Sequence, residues 1–174
     1  WVQEAIDQVF FKGAWNLPIG QNYPWWGCIT WPFSHSGFNH LLSNTIVFLP
    51  LSWLVISKRI LDYLAVWVCV LLIVFFTFHF WPSNAHGISG VIFGLFGYLI
   101  IIGILEKNIF TIVLSILTIS YFGHFLVSLL PWNTFHGISW IGHLSGFIGG
   151  LLGAIVAYKG PQKRKTSKAN KRNL

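Results

Sequence analysis

Five apolar stretches, at about 38–57, 61–81, 88–105, 109–130 and 140–158, dominate the chain. Each is close to the ~20 residues that a helix needs to cross a hydrocarbon core about 30 Å thick. Hydrophobic residues make up 55% of the 174 and charged residues only 9%. With a mean hydropathy of +0.66, this composition excludes the ordinary soluble classes. None of the stretches alternates polar with apolar residues, as the strands of a membrane barrel do, so the spans read as helices. The predicted fold class is therefore all-α, a polytopic membrane helix bundle.

Three regions follow from the distribution of polarity. Residues 1–37 scatter Glu4, Asp7, Lys12, Asn16, Gln21 and Asn22 among Val, Phe and Trp, the pattern of an amphipathic, aromatic segment lying on the membrane. Residues 38–158 form the transmembrane core, and 159–174 a basic tail. The chain contains no Met, so one or more upstream elements are expected; no stretch resembles a signal peptide. Cys28 and Cys69 are too isolated for a zinc pattern or a redox pair and read as packing residues.

Seven of the 11 basic residues (Lys159, Lys163, Arg164, Lys165, Lys168, Lys171 and Arg172) fall in the last sixteen positions. Beside a final membrane helix such a tail marks the cytoplasmic side and touches anionic lipid, so membrane lipids, not nucleic acid, are its expected partners. Counting back from a cytoplasmic C-terminus puts Lys58, Arg59 and Lys107 in inner turns. The outer connections, 81–87 and 131–139, carry no Lys, Arg, Asp or Glu. Trp25, Trp26, Trp31, Trp81, Trp132 and Trp140 gather at that face as an interfacial aromatic belt.

With a rise of ~1.5 Å per residue, Ser89, His143, His40 and Asn44 all stand roughly 21–27 Å above the inner turns. Four polar side chains from three helices thus share one layer below the outer surface, where polar groups are costly and usually functional. His40 and Asn44, four apart, share a helix face. Gly90, Gly94 and Gly97 line the Ser89 helix, and Gly146, Gly149, Gly150 and Gly153 the His143 helix. Small residues let helix backbones approach closely, which would bring Ser89 to His143.

A serine becomes a useful nucleophile beside a base, and neutral imidazole is the usual one. Glu4, Asp7, Asp62 and Glu106, the only acids, read as far from the outer layer, so a Ser-His dyad is expected, not a triad. The Asn44 amide, His40 and the Ser89 backbone N–H are candidate oxyanion donors, with Gly87 and Gly90 giving the backbone freedom beside them. Taken alone, Ser89 is better read as a helix N-cap and His143 as an interhelical hydrogen-bonding residue; together with His40, Asn44 and the glycine faces, the order reverses and the dyad is favoured. His-Gly-Ile-Ser occurs twice, at 86–89 and 136–139, which makes Ser139 a rival nucleophile; it lacks a following glycine and precedes its helix. Ser145 reads as a small packing residue, His79 and His124 as interfacial packing, and His86 and His136 as loop residues without a catalytic role.

These residues resemble the rhomboid family of intramembrane serine proteases over about Trp26 to Tyr158. The likeness is carried by Trp26, by His35-x4-His40-x3-Asn44, by Gly87-Ile88-Ser89-Gly90 with the following Val-Ile-Phe-Gly-Leu-Phe-Gly, and by Gly142-His143-Leu144-Ser145-Gly146 with Gly150. The resemblance implies a six-helix fold in which the five spans are the second to sixth, the first helix being absent from this chain. It also implies Ser89 as nucleophile, His143 as general base, His40, Asn44 and the Ser89 amide as oxyanion hole, and His35 as support. The implied activity is cleavage of single-span membrane proteins near the outer boundary, in a bacterial plasma (inner) membrane, preferring small residues at the scissile bond and a helix that unwinds readily. The chain departs from the family in three places: Gly27 stands in place of Arg, Ile56 in place of Glu, and Phe93 in place of the Tyr that stacks on the histidine.

Two other classes compete. One is a catalytically silent rhomboid-like protein that binds client transmembrane helices; the other is a haem-binding or ion-conducting bundle using His79, His124 and His143. No membrane carboxylate pair and no His-Glu-x-x-His occurs, so neither a metal nor a cofactor is expected. An α/β-hydrolase is disfavoured because the fifth position of its Gly-x-Ser-x-Gly turn would be Val91. The oligomeric state is not legible.

Overall fold

The computed structural model describes residues 1–131 and 139–172, with side chains through Gly160. A short helix α1 (Val2–Ile6) continues into a π turn (Asp7–Phe11), followed by strand β1 (Ile19–Gly20), helix α2 (Gly27–Thr30) and a 3-10 turn (Trp31–Phe33). The long helices are α3 (Phe38–Lys58) and α4 (Ile60–Phe80), then, after strand β2 (Asn84–Ala85), α5 (Ser89–Glu106), α6 (Ile109–Phe122) and α7 (Trp140–Arg172). A 3-10 segment, Gly123–Leu129, extends α6, and β1 pairs antiparallel with β2.

Five segments are long and apolar enough to span a bilayer: α3, α4, α5, Ile109–Leu129 and Trp140–Gly160. α5 is 67% buried, against 17–44% for the others, so it is the central helix and the rest surround it. Leu42, Ile46 and Leu49 of α3, Leu64, Val68 and Leu72 of α4, and Ile116 and Leu117 of α6 remain exposed. Such faces need lipid against them, and the chain is an integral membrane protein. All five spans lie within two residues of the stretches expected from hydropathy. The fourth span loosens into a 3-10 segment at Gly123, and α7 runs on past Tyr158 through Arg172.

Glycines set the helix spacing. A side chain at Gly146 would fall on the Gly90 carbonyl and one at Gly150 on the Gly94 carbonyl, while a Cβ at Gly97 would sit 2.7 Å from the Phe147 carbonyl. On its other face α7 meets α4, where Cβ atoms at Gly149 and Gly153 would lie 2.7 and 2.8 Å from the Cα atoms of Val70 and Val66. Helices α5 and α6 are joined by Ser115, whose hydroxyl donates to the Leu99 carbonyl (2.7 Å) and accepts from the Gly103 amide (3.1 Å).

At the end of the bundle opposite Ser89, an ionic knot closes four helices. The fully buried Asp62 carboxylate accepts from Lys58 Nζ (2.7 Å), Arg59 Nε (2.5 Å) and the Tyr98 hydroxyl (2.5 Å). Lys58 also pairs with Glu106 at 2.6 Å, and Arg59 donates to the Ala157 carbonyl at 2.8 Å. Ile56, where the resemblance looks for an acid, is 40% exposed; the buried acid of this end comes from α4 instead.

Candidate active site

Ser89 is the first residue of α5, and Ile88 occupies the cap position with no side-chain cap bond. The Ser89 hydroxyl is therefore free of capping work and meets His143 Nε2 at 3.1 Å. The glycine contact between α5 and α7 explains the approach, because Gly90 and Gly146 touch one residue and three residues beyond the two side chains. Phe93, one turn below Ser89, stacks on the His143 ring with centroids 4.2 Å apart and 21° between planes. Phe thus supplies the same stack as the family's Tyr. His143 is 9% exposed, and the Ser128 carbonyl faces its buried Nδ1 too loosely for a full hydrogen bond.

His40 and Asn44 lie on one face of α3, beside Gly87. His40 Nδ1 meets the Ser36 hydroxyl at 3.1 Å, which leaves Nε2 for the cavity. The Asn44 amide nitrogen is buried without a partner in the chain; an orphaned buried donor costs about 1–3 kcal/mol unless a water or ligand oxygen meets it. Gly87 has φ +101°, and a Cβ there would lie 3.0 Å from His40 Cε1 and 3.6 Å from Asn44 Nδ2. The position therefore needs glycine on both conformational and steric grounds. Gly90 is pressed in turn by Trp31, whose Cη2 would be 2.7 Å from an added Cβ. Gly94 and Gly97 lie lower on the same helix contact.

His35 stands behind this group. It is 3% exposed, its Nε2 accepts from the Ile88 amide at 3.5 Å, and its ring meets His40 edge-on at 5.3 Å. Burial first, and then the neighbouring His40 ring, push its pKa down to about 4 against the pull of the Phe33 carbonyl. The ring is neutral near pH 7, with Nδ1 carrying the proton and Nε2 accepting.

A cavity of about 510 Å³ joins these groups, lined by Ser89, His143, His40, Asn44, Gly87 and Phe93 among others. Such a volume holds a few side chains of an extended peptide. Its lining also includes the polar Ser36, Ser43, Asn84 and His86 and the apolar Val47, Val74, Phe78 and Ile92. Chemically the arrangement can hold a hydroxyl against an imidazole and offer an oxygen acceptor the donors of Asn44, His40 and the first amide of α5, which has no intrahelical partner.

Several sequence readings need correction. Trp31, assigned to the interfacial belt, is 2% exposed; it packs under Gly90, and its carbonyl accepts the Gly87 amide at 2.8 Å. Glu4 and Asp7 are fully buried, and Glu4, read as far from the outer layer, lies close enough to act on His40 and His86. The α1 segment docks on α3 through Trp1, whose indole donates to Thr45 (3.2 Å) and stacks on Phe38, and Glu4 acts electrostatically on His86. His86 is the loop residue that was expected, and it also lines the cavity. Aromatic or titratable residues in a connection carry no periodicity, so nothing in the sequence marked them.

Other readings fall on ordinary roles. Ser139 caps α7, its hydroxyl accepting from Gly142 N (3.3 Å) and its carbonyl from His143 N (3.1 Å). Ser145 bonds back to the Gly142 carbonyl at 3.1 Å. Exposed His79 and His124 rest on Phe75, Phe80 and Phe125. Gly27 has a steric cause, since any side chain there would meet the Pro18 carbonyl. Trp25, Trp26 and Trp81 are exposed, whereas Trp132, His136 and the second His-Gly-Ile tripeptide lie outside the described residues. No group of three or more His, Cys, Asp or Glu able to hold a metal occurs among the described residues.

A family model described as Rhomboid domain matches residues 22–160. Uncharacterized proteins of Mycobacterium bovis and Mycobacterium tuberculosis are 27% identical over 154 residues, covering 82% of this chain and 63% of theirs. One from Mycobacterium leprae is 27% identical over 153 residues, 82% of this chain and 60% of its own. The chain thus spans about three-fifths of the length of the curated relatives it matches. No solved structure matches significantly. With the match extending from the segment before α2 to the last apolar turn of α7, this chain belongs to the rhomboid family.

Proposed function

We propose that this protein is a serine endopeptidase that cleaves single-span membrane proteins within or beside the bilayer. The observation that carries the reading is the 3.1 Å contact between Ser89 Oγ and His143 Nε2, made in the cavity of about 510 Å³ at one end of the bundle. His143 Nε2 takes the hydroxyl proton as Ser89 Oγ attacks the scissile carbonyl, and returns it to the leaving amine as the C–N bond breaks. Water, deprotonated by the same nitrogen, then hydrolyses the acyl-serine. Asn44, His40 and the Ser89 amide stabilise the oxyanion in both steps. The unpartnered Asn44 amide supports that assignment, since a peptide oxygen would give it an acceptor.

Lys58, Arg59 and Lys107 cluster at the opposite end, which favours a cytoplasmic Lys58 end in a plasma membrane and a cavity opening outward. In the test, the protein in detergent is exposed to a fluorophosphonate probe and co-expressed with candidate single-span substrates. Labelling and cleavage are expected from the wild type and neither from Ser89→Ala. Equal labelling of the two proteins would end the proposal.

A further inference from the structure

The proposed chemistry occupies His143, His40 and Asn44 but leaves one imidazole of the same cavity without a task. His86 follows β2, whose pairing with β1 anchors the connection, and precedes Gly87, whose positive φ turns the chain. Its ring meets His40 with centroids 6.4 Å apart at 62°. It is half-buried and makes no hydrogen bond to another described residue. Among the described residues lining the cavity none is Asp, Glu, Lys or Arg, and the titratable ones are His40, His86 and His143.

We propose that His86 determines specificity, by hydrogen-bonding an acidic side chain that the substrate carries next to the scissile bond. The inference rests on the proteolytic reading above. Among the described lining residues, a carboxylate entering this cavity meets no competing acid and no fixed cation that would bind it more strongly. The described lining also includes the apolar Val74, Phe78 and Ile92, which offer a carboxylate no hydrogen bond. Amide or hydroxyl side chains would also find a partner there, but without charge assistance.

The groups facing His86 set its pH behaviour. His40 approaches from α3, His35 from the loop before it, His143 stands across the cavity on α7, and Glu4 acts from α1. Burial lowers the His86 pKa, and Glu4 opposes the shift, so in the free protein the ring is neutral near pH 7. A substrate carboxylate beside it favours the imidazolium, and binding therefore takes up a proton. Preference for an acidic substrate must grow as pH falls.

Paired substrates that carry Asp or Asn at each of the two positions on either side of the scissile bond test the assignment. For the best position, wild-type kcat/KM should favour Asp by about ten-fold at about pH 6, the factor of one charge-assisted hydrogen bond, and by less at about pH 8. In His86→Gln the Asp/Asn ratio should fall to about one at both. A ratio that survives His86→Gln, or wild-type cleavage with no ratio at any position, overturns the inference. Equilibrium binding of the same pairs to Ser89→Ala separates the two readings. A pH-dependent Asp preference in binding, with no cleavage by the wild type, sinks the proteolytic reading and leaves His86 as the acid-recognising group.

Discussion

His35 ties the pH response of the fold to its candidate site. Its Nε2 accepts the amide of Ile88, the residue before Ser89, and that bond requires a ring nitrogen without a proton. Its folded pKa of about 4 lies below the ordinary 6.5. Between these values the unfolded chain binds a proton that the folded one does not, so this contribution to stability is complete above about pH 6.5. It is lost progressively as the pH falls toward 4. At about pH 5 the loss should be roughly 2 kcal/mol, at 1.36 kcal/mol per pH unit. Thermal midpoints in detergent at about pH 7.5 and pH 5 should differ more for the wild type than for His35→Asn. An equal difference would remove His35 as the titrating group. His35 was legible as a candidate supporting residue only through the rhomboid resemblance. Its bond to Ile88 was not, because it joins loops 53 residues apart.

Helix α7 lies in a slot whose two walls are both closed to a methyl group. Gly146 and Gly150 meet carbonyls of α5, and Gly149 and Gly153 meet Cα atoms of α4. These glycines were readable as packing positions because a spacing of four returns to the same helix face. That α7 uses two such faces, one per neighbour, depends on tertiary arrangement. The loops were less legible still. Trp31 looks like any interfacial tryptophan until Gly90 is seen to give it space, and Gly27 looks like a lost arginine until Pro18 is seen to cross it. At the element scale, Gly146→Ala should push α7 off α5 and cost about 1–3 kcal/mol, as overpacking does. Because Gly146 lies one turn from His143, the Ser89–His143 contact should lengthen and fluorophosphonate labelling should drop by more than the loss of folded protein. Gly123→Ala is the matched control, since its added Cβ would meet only Ile119 Cγ2, at 3.6 Å. If the two variants behaved alike, the slot would not be what positions His143.

The molecule divides its polar groups between two ends, a cavity lined by uncharged groups at Ser89 and a charged knot at Lys58. The five spans and their antiparallel order were legible from hydropathy and loop charge. The knot was only half so, because Lys58, Arg59 and Asp62 look like a local helix-start cluster, while the Tyr98 hydroxyl arrives from a helix 36 residues away. Asp62 is fully buried beneath three donors, and removing one partner of a buried ionic group costs about 3–5 kcal/mol, since the others stay desolvated. Lys58 keeps Glu106 and Arg59 keeps the Ala157 carbonyl, which places Asp62→Asn toward the lower limit, about 3 kcal/mol. Tyr98→Phe should cost about 1.5 kcal/mol, one hydrogen bond to a charged group, and the double variant less than the sum because the two share that bond. Denaturation midpoints in detergent should follow this order. Along α5, at ~1.5 Å per residue, the knot begins about 14 Å from Ser89 at Tyr98 and ends about 25 Å away at Glu106, so well below the midpoint the labelling rate of Ser89 should stay at the wild-type value. A labelling defect without a shift in midpoint would mean that the knot acts on the site itself and not on the stability of the bundle that holds it.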